Sequence, residues 1–545
     1  MRAPADALAP FRRDPCEVMR LARMGCAHPT RLSFLRLLLR RMRLERWRFD
    51  RPVWDVDARG VGRAVYRARA PGRTYSLVAF AHDLPPEARS DRVIATAWDA
   101  TFALLDGEAT AADLARLGAE VPRQEAGRVS GRELVLSRAN RSVRLFDHVV
   151  EALARGAQPD PAALAETGYL MRTTAVYGSG KFGAAAHAEI ADRAEMAAPF
   201  QAEMLTVWLI RAFTVDLAEH LARARSGEGA ARLDRGLRRG LGVGNSTGLG
   251  MAPFLVRHPR LLNAWVGARE TALARVRAHG TADAAADVRA AVEAARDNAA
   301  GWRSAHPVQV AKLADLRAGL DRVAARLEDG HGGAARPWDA LWRWAEGALP
   351  PEAQEALLAC LLEPHGALVD GLAGGLSVPE GGPLDGAMSV GALRGLLRTG
   401  YGWAMAPDYA APDGCARFWY VSQDKLEPRL GERHDEPGAD WELPLDVGRQ
   451  ARALADALDG RADAEPVARL LLARPDLRGI AGRVQATAGR PCAEIRDNVI
   501  GADLLPIDML RCKLAFFGAT RFDPRSDRWV RISLFQGAPF PDEMA

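Results

Sequence analysis

The spacing of apolar and polar residues changes character several times along the chain. Residues 1–45 predict an arginine-rich helical region with leucines on one face. From about 46 to 82 the period shortens to two. There 63–69 and 74–80 predict strands, joined through Ala70-Pro71-Gly72-Arg73 as a hairpin. Glu133-Leu134-Val135-Leu136 adds a further extended piece.

Three- and four-residue spacing then predicts helices over 142–155, 161–176, 195–224, 253–278, 281–299 and 308–327. Further helices are expected at 338–348, 351–362, 447–458, 466–472 and near 502–513. Between them Arg417-Phe418-Trp419-Tyr420-Val421 predicts a strand, and 422–440 a polar loop too long for a plain connector. A last strand is expected at 529–535, pairing with 417–421 or returning to the N-terminal sheet.

The fold expected from these elements is mainly α with a smaller α+β portion. It has a multi-helical core and short antiparallel strands contributed by the N- and C-terminal regions. Three regions follow: an α+β region at 1–140, a helical core at 141–330, and a helical and α+β region at 331–545. A chain of 545 residues is long enough for two or three such units.

Composition narrows the function classes. With 48% hydrophobic and 26% charged residues the chain reads as an ordinary globular protein, and no run approaches the ~18 apolar residues of a membrane span. A formal net charge of +4 is small for this length and makes no electrostatic case for nucleic acid. The first residues lack an apolar signal core, and six scattered cysteines form no Cys-x-x-Cys pair, so a cytoplasmic location is expected. Histidines and acids show no metal-ligand spacing.

Among 73 basic residues only Lys181, Lys312, Lys425 and Lys513 are lysine, and asparagine occurs five times. A lysine kept where arginine is the rule marks a place where a compact, tunable ammonium is wanted.

Two glycine-rich stretches carry the candidate chemistry. Gly242-Val243-Gly244-Asn245-Ser246-Thr247-Gly248-Leu249-Gly250 precedes Pro253 and predicts a loop at a helix start. Backbone N–H groups and the helix dipole would there meet a carboxylate or phosphate, with Asn245, Ser246, Thr247 and Gly248 binding it. Tyr177-Gly178-Ser179-Gly180-Lys181-Phe182-Gly183 is the second stretch. Lys181 is expected as a base or carbonyl-directed nucleophile and Tyr177 as its proton partner. Asn140, Arg429, Arg496 and Asn498 complete the expected substrate contacts.

Three motif comparisons run out. The Lys181 stretch departs from a nucleotide phosphate loop, with Ala175 for the first glycine, Phe182 for the hydroxyl residue, and a helix expected before it. Gly244-Asn245-Ser246-Thr247-Gly248 has the spacing of a nucleophile elbow but no predicted strand in front of it. The 242–253 stretch with Met251 and Pro253 is similar to the mobile loop of the fumarase and aspartase superfamily, yet Arg257 and His258 stand where Lys and Asn are sought. Separately, 27–38 resembles the first core helix of winged-helix repressors, but extended aromatic residues at 47–54 replace the recognition helix.

The expected function is a metabolic enzyme acting on a small anionic substrate, with reaction type and cofactor open and a homo-oligomer as the assembly. The alternative is a non-catalytic ligand-binding or protein-interaction protein, and the third reading a DNA-binding regulator.

Overall fold

The predicted hairpin is one edge of a much larger sheet. The computed structural model describes residues 5–88, 97–123, 130–174, 190, 192–247, 255–256, 258–302, 307–329, 335–374, 376, 383–409, 447–496, 506–519, 521–523 and 530–544. Within them lie β1 (Arg48–Val56), β2 (Gly62–Ala70), β3 (Arg73–Ala81), β4 (Ala100–Asp106), β5 (Glu133–Arg141), β6 (Tyr169–Thr173), β7 (Gly242–Thr247), β8 (Arg521–Asp523) and β9 (Val530–Leu534). All nine form one sheet in the order β1-β2-β3-β4-β5-β6-β7-β9-β8.

This corrects the expectation of short antiparallel strands drawn from the two ends of the chain. Four of the strands are nine residues long, and the sheet is mixed because β6 and β7 run parallel. Both parallel strands come from the middle of the chain, where β6 was expected to be helix and β7 a loop. Gly168, at φ 73°, ends the helix Pro161–Thr167 in a left-handed cap, and Tyr169–Thr173 then enters the sheet fully buried. Pairing with distant strands, which periodicity cannot register, decides these short segments. The last strand does return to the sheet: β9 pairs with β7, while 417–421 lies outside the described residues.

The principal helices are α1 (Phe34–Leu44), α2 (Gln201–Ser226), α3 (Pro259–His279), α4 (Pro351–Leu362), α5 (Val390–Tyr401), α6 (Arg478–Thr487) and α7 (Pro506–Phe517). The expected N-terminal helix contracts to α1, since Pro10 and Pro15 break the preceding residues into short turns. Helix α2 is buried over most of its length and packs across β5, β6 and β7, so its sequence shows little amphipathic pattern. Its Arg211 donates to the carbonyls of Leu241 (2.6 Å) and Ala538 (2.8 Å), fixing the entrance of β7 to the C-terminal segment. The helix Ala111–Glu120 covers the opposite face at β2–β5 through Leu114 and Leu117.

Two half-buried arginines of the N-terminal helical region pair with acids, Arg31 with Asp370 and Arg36 with Glu363. Among the described residues no single helix is long and apolar enough to cross a membrane. The pair α4 and Gly366–Ala373 has the length and composition together, but it bends by 102° and carries buried Glu352 and Glu355.

The glycines of β7 serve close packing. A Cβ on Gly244 would stand 2.6 Å from Cγ of Arg172 and 2.9 Å from the Tyr169 ring, and one on Gly242 would overlap the Leu534 carbonyl oxygen. Backbone cannot step aside as a side chain can. Gly242→Ala is therefore expected to cost about 3 kcal/mol, near the top of the overpacking range, read as a lowered urea midpoint. An unchanged midpoint would show that β7 and β9 can separate without penalty.

Candidate functional site

Parallel strands β6 and β7 with α2 between them form a strand–helix–strand unit. In such units the crevice beyond the carboxyl ends of the strands is the usual place for ligands, because helix N-termini and loops converge there. In sequence the 177–183 stretch comes after β6, while the 242–250 stretch supplies β7 itself and runs on beyond it. The carboxyl ends of β6 and β7 lie on neighbouring strands.

The described residues at this end are polar and buried. The Lys513 amine, on α7, donates to Oδ1 of Asn245 at 2.9 Å, and Nδ2 of Asn245 donates to the Thr173 carbonyl at 3.1 Å. The Thr173 hydroxyl lies 2.7 Å from that of Ser137 on β5. Lys513, Thr173 and Ser137 are wholly buried and Asn245 nearly so. Lys513 therefore reaches from the helix layer to both parallel strands through one asparagine.

Burial pushes the Lys513 amine well below its ordinary pKa. Glu203, in the first turn of α2, is enclosed as well. Burial drives its carboxyl up to about 8, outweighing a backbone hydrogen bond that favours the charge. Its Oε1 has no hydrogen-bond partner among the described residues. Phe200, which precedes this turn, holds a left-handed conformation (φ 61°) unusual for a bulky residue. It is wedged between Phe34 and Phe517, each at a ring-centroid distance of 5.1 Å, and Phe517 lies one turn beyond Lys513 on α7. The same aromatic contact thus ties the start of α2 to the helix carrying Lys513.

Of the sequence-predicted site residues, Lys181, Tyr177, Gly248, Arg429 and Asn498 lie outside the described residues. Ser246 and Thr247 belong to β7, opposite Arg531 and Val530 of β9. The stretch 242–247 is thus a strand, which corrects the expected loop. A nucleophile elbow needs its serine on the turn after a strand, and the backbone of Ser246 is inside the ladder. The strand missing before the Lys181 stretch is present as β6, while Ala175 and Phe182 still depart from a phosphate loop.

Asn140 and Asn245 are not brought together. Asn140 shares a row with Arg172 and Gly244, so Asn245, the next residue on β7, faces the other side of the sheet. The Asn140 side chain accepts from the Asp99 N–H at 3.3 Å, helping to position the start of β4. Arg496 lies in a C-terminal helical cavity.

Lys513 and Glu203 were not singled out from sequence as site residues. The signal was present for Lys513: it is one of four lysines and sits in the apolar run Leu510 to Phe517. Glu203, within Gln201-Ala202-Glu203-Met204-Leu205, looks like any helix-start acid until α2 is known to be buried.

No group of three metal-binding side chains occurs among the described residues. Comparison with protein-family models found no match, and neither a curated protein nor a solved structure matches the chain.

Proposed function

We propose that the chain is an enzyme acting on a small anionic substrate that carries a carbonyl group, bound beyond the carboxyl ends of β6 and β7. The observation that carries this reading is the Lys513–Asn245 hydrogen bond at that end of the parallel pair. Burial favours the neutral, nucleophilic form of the Lys513 amine, and a carboxyl held protonated is an acid. Lys513 would attack the carbonyl carbon, and Glu203 would protonate the hydroxyl that leaves as water when the imine forms. Asn245 orients the amine, and the N-terminus of α2 favours the substrate's negative charge.

The test is reductive trapping. Incubating the protein with pyruvate or 2-oxoglutarate and cyanoborohydride should leave a mass adduct on Lys513, and none on the peptide in Lys513→Met. A folded wild-type protein that gives no Lys513 adduct with any 2-oxo acid or aldehyde would overturn the proposal.

A second reading, a non-catalytic ligand-binding or interaction protein, is favoured by the complete burial of Lys513. The pH response of Lys513→Met bears on it. Between its lowered native pKa and the ordinary 10.5, Lys513 binds a proton more readily in the unfolded chain. Wild-type stability is thus expected to fall as pH drops through that window, and Lys513→Met to remove the fall.

A further inference from the structure

The C-terminal helices enclose a cavity unrelated to the β6–β7 end. It lies between α5, α6 and the turn at 488–496, with a volume of about 220 Å³. That exceeds the ~150 Å³ known to admit a benzene-sized molecule. Exposed Thr399, Gly400 and Pro491 mark its mouth. Leu396 and Val484 give it an apolar wall, while Tyr401, Glu494, Arg490 and Arg496 give it a polar one.

The acid of this wall is already occupied. Arg483 grips Glu494 with two hydrogen bonds of 2.5 and 2.7 Å, and the Tyr401 hydroxyl donates to the same carboxylate at 2.7 Å. The Tyr401 oxygen also lies 2.9 Å from the Thr487 hydroxyl. Burial, and then Glu494, push the Tyr401 pKa up, so this hydroxyl stays a donor.

The cations are less well matched. Arg490 spends one nitrogen on the Ala486 and Ala488 carbonyls at the end of α6. Arg260 donates to the same Ala486 carbonyl at 3.1 Å, which gathers two guanidinium groups on one oxygen. Burial, with Arg490 second, holds the Arg260 pKa low. Arg496 feels the charge of Asp14, but its buried Nε has no hydrogen-bond partner among the described residues. The named groups are Arg260, Arg483, Arg490 and Arg496 against Glu494 and Asp14, an excess of two positive charges.

We infer that this cavity is a binding site for a small organic anion, its carboxylate or phosphate held by Arg490 and Arg496 and its carbon body against Leu396 and Val484. Arginine suits this task because its planar fork matches both oxyanions. The site is independent of Lys513.

The experiment is calorimetric titration at constant ionic strength with benzoate, 2-oxoglutarate, glycerol 3-phosphate, inorganic phosphate and chloride. Saturable binding of at least one organic anion is expected, preserved in Lys513→Met and weakened at least tenfold in Arg496→Gln and Arg490→Gln. Preference for benzoate and 2-oxoglutarate would assign a carboxylate, and preference for glycerol 3-phosphate a phosphate ester. Leu396→Trp, which fills the cavity without removing a charge, should also abolish the binding of benzoate, which has no ketone or aldehyde for Lys513, and keeps the test decisive should Arg496→Gln fail to fold. The inference is overturned if no organic anion binds, if chloride competes equally, or if benzoate binding survives Leu396→Trp.

Discussion

Replacing Glu355 by alanine is expected to destabilise the protein by about 3–5 kcal/mol, the range for removing one partner from a buried ion pair. Glu355, on α4, is wholly buried among arginines. Arg13 donates to it at 2.5 Å, Arg269 of α3 forms a very short contact, and Arg23 stands at 3.5 Å. Glu270 is the second acid of the cluster and takes a bidentate grip from Arg13 at 2.6 and 2.8 Å. Two carboxylates thus answer three guanidinium groups. Alanine would leave Glu270 alone against the three, with Arg13 and Arg269 almost without access to water. The cluster also ties the N-terminal segment to α3 and α4, so its loss should loosen residues 5–26 before the sheet. Urea midpoints and protease cleavage within residues 5–26 would read the two effects. A midpoint drop worth under about 1 kcal/mol would mean that water enters and solvates the freed arginines.

The pH dependence of this cluster has a definite sign. Burial alone would raise the Glu355 pKa, but Arg13 and Arg269 outweigh it and hold the carboxyl below its ordinary value of 4.5. A depressed native pKa gives stability that is present above 4.5 and disappears as pH falls through the native value. Wild type should therefore lose this contribution on acidification below 4.5, and Glu355→Ala, which lacks it, should not.

What could be read from sequence follows how local each interaction is. The helices 351–362 and 447–458 match α4 and Val447–Leu458 at both ends, because apolar spacing and, for α4, an N-terminal proline are written into the segments themselves. Hairpin β2–β3 was legible for the same reason, its turn lying between its strands. The parallel pair was not. Tyr169–Thr173 and Gly242–Thr247 are short, lie about seventy residues apart, and become strands by meeting each other and β9. The glycines of the 242–250 stretch were assigned to a turn. Gly242 and Gly244 instead let Leu534, Tyr169 and Arg172 close on the β7 backbone. Within the site, Asn245 could be singled out by its neighbours. Lys513 is 268 residues away in sequence and joins it only through the packing of α7 on β7 and β9.

Glu203→Gln is expected to stabilise the protein above pH 8 by about 5 kcal/mol, taking 1.36 kcal/mol for each unit between the ordinary 4.5 and the native value of about 8. The carboxyl is buried, so little solvent screening reduces this figure. Because the native pKa is raised, the folded protein holds the proton where the unfolded chain releases it. The stabilising contribution of the protonated acid is complete below 4.5 and is lost as pH rises to about 8. Glutamine keeps the shape and carries no charge to bury. The urea midpoints of wild type and variant should therefore coincide near pH 4 and diverge in favour of glutamine until about pH 8. Parallel curves would mean that the native carboxyl ionises near its ordinary pKa, which would remove the proton donor from the proposed reaction. Divergence would show that the chain retains an acid that weakens its own fold at neutral pH. A residue that breaks a local rule at a stability cost is the pattern expected of a functional group, and it would place Glu203 beside Lys513 as the first pair to examine for catalysis.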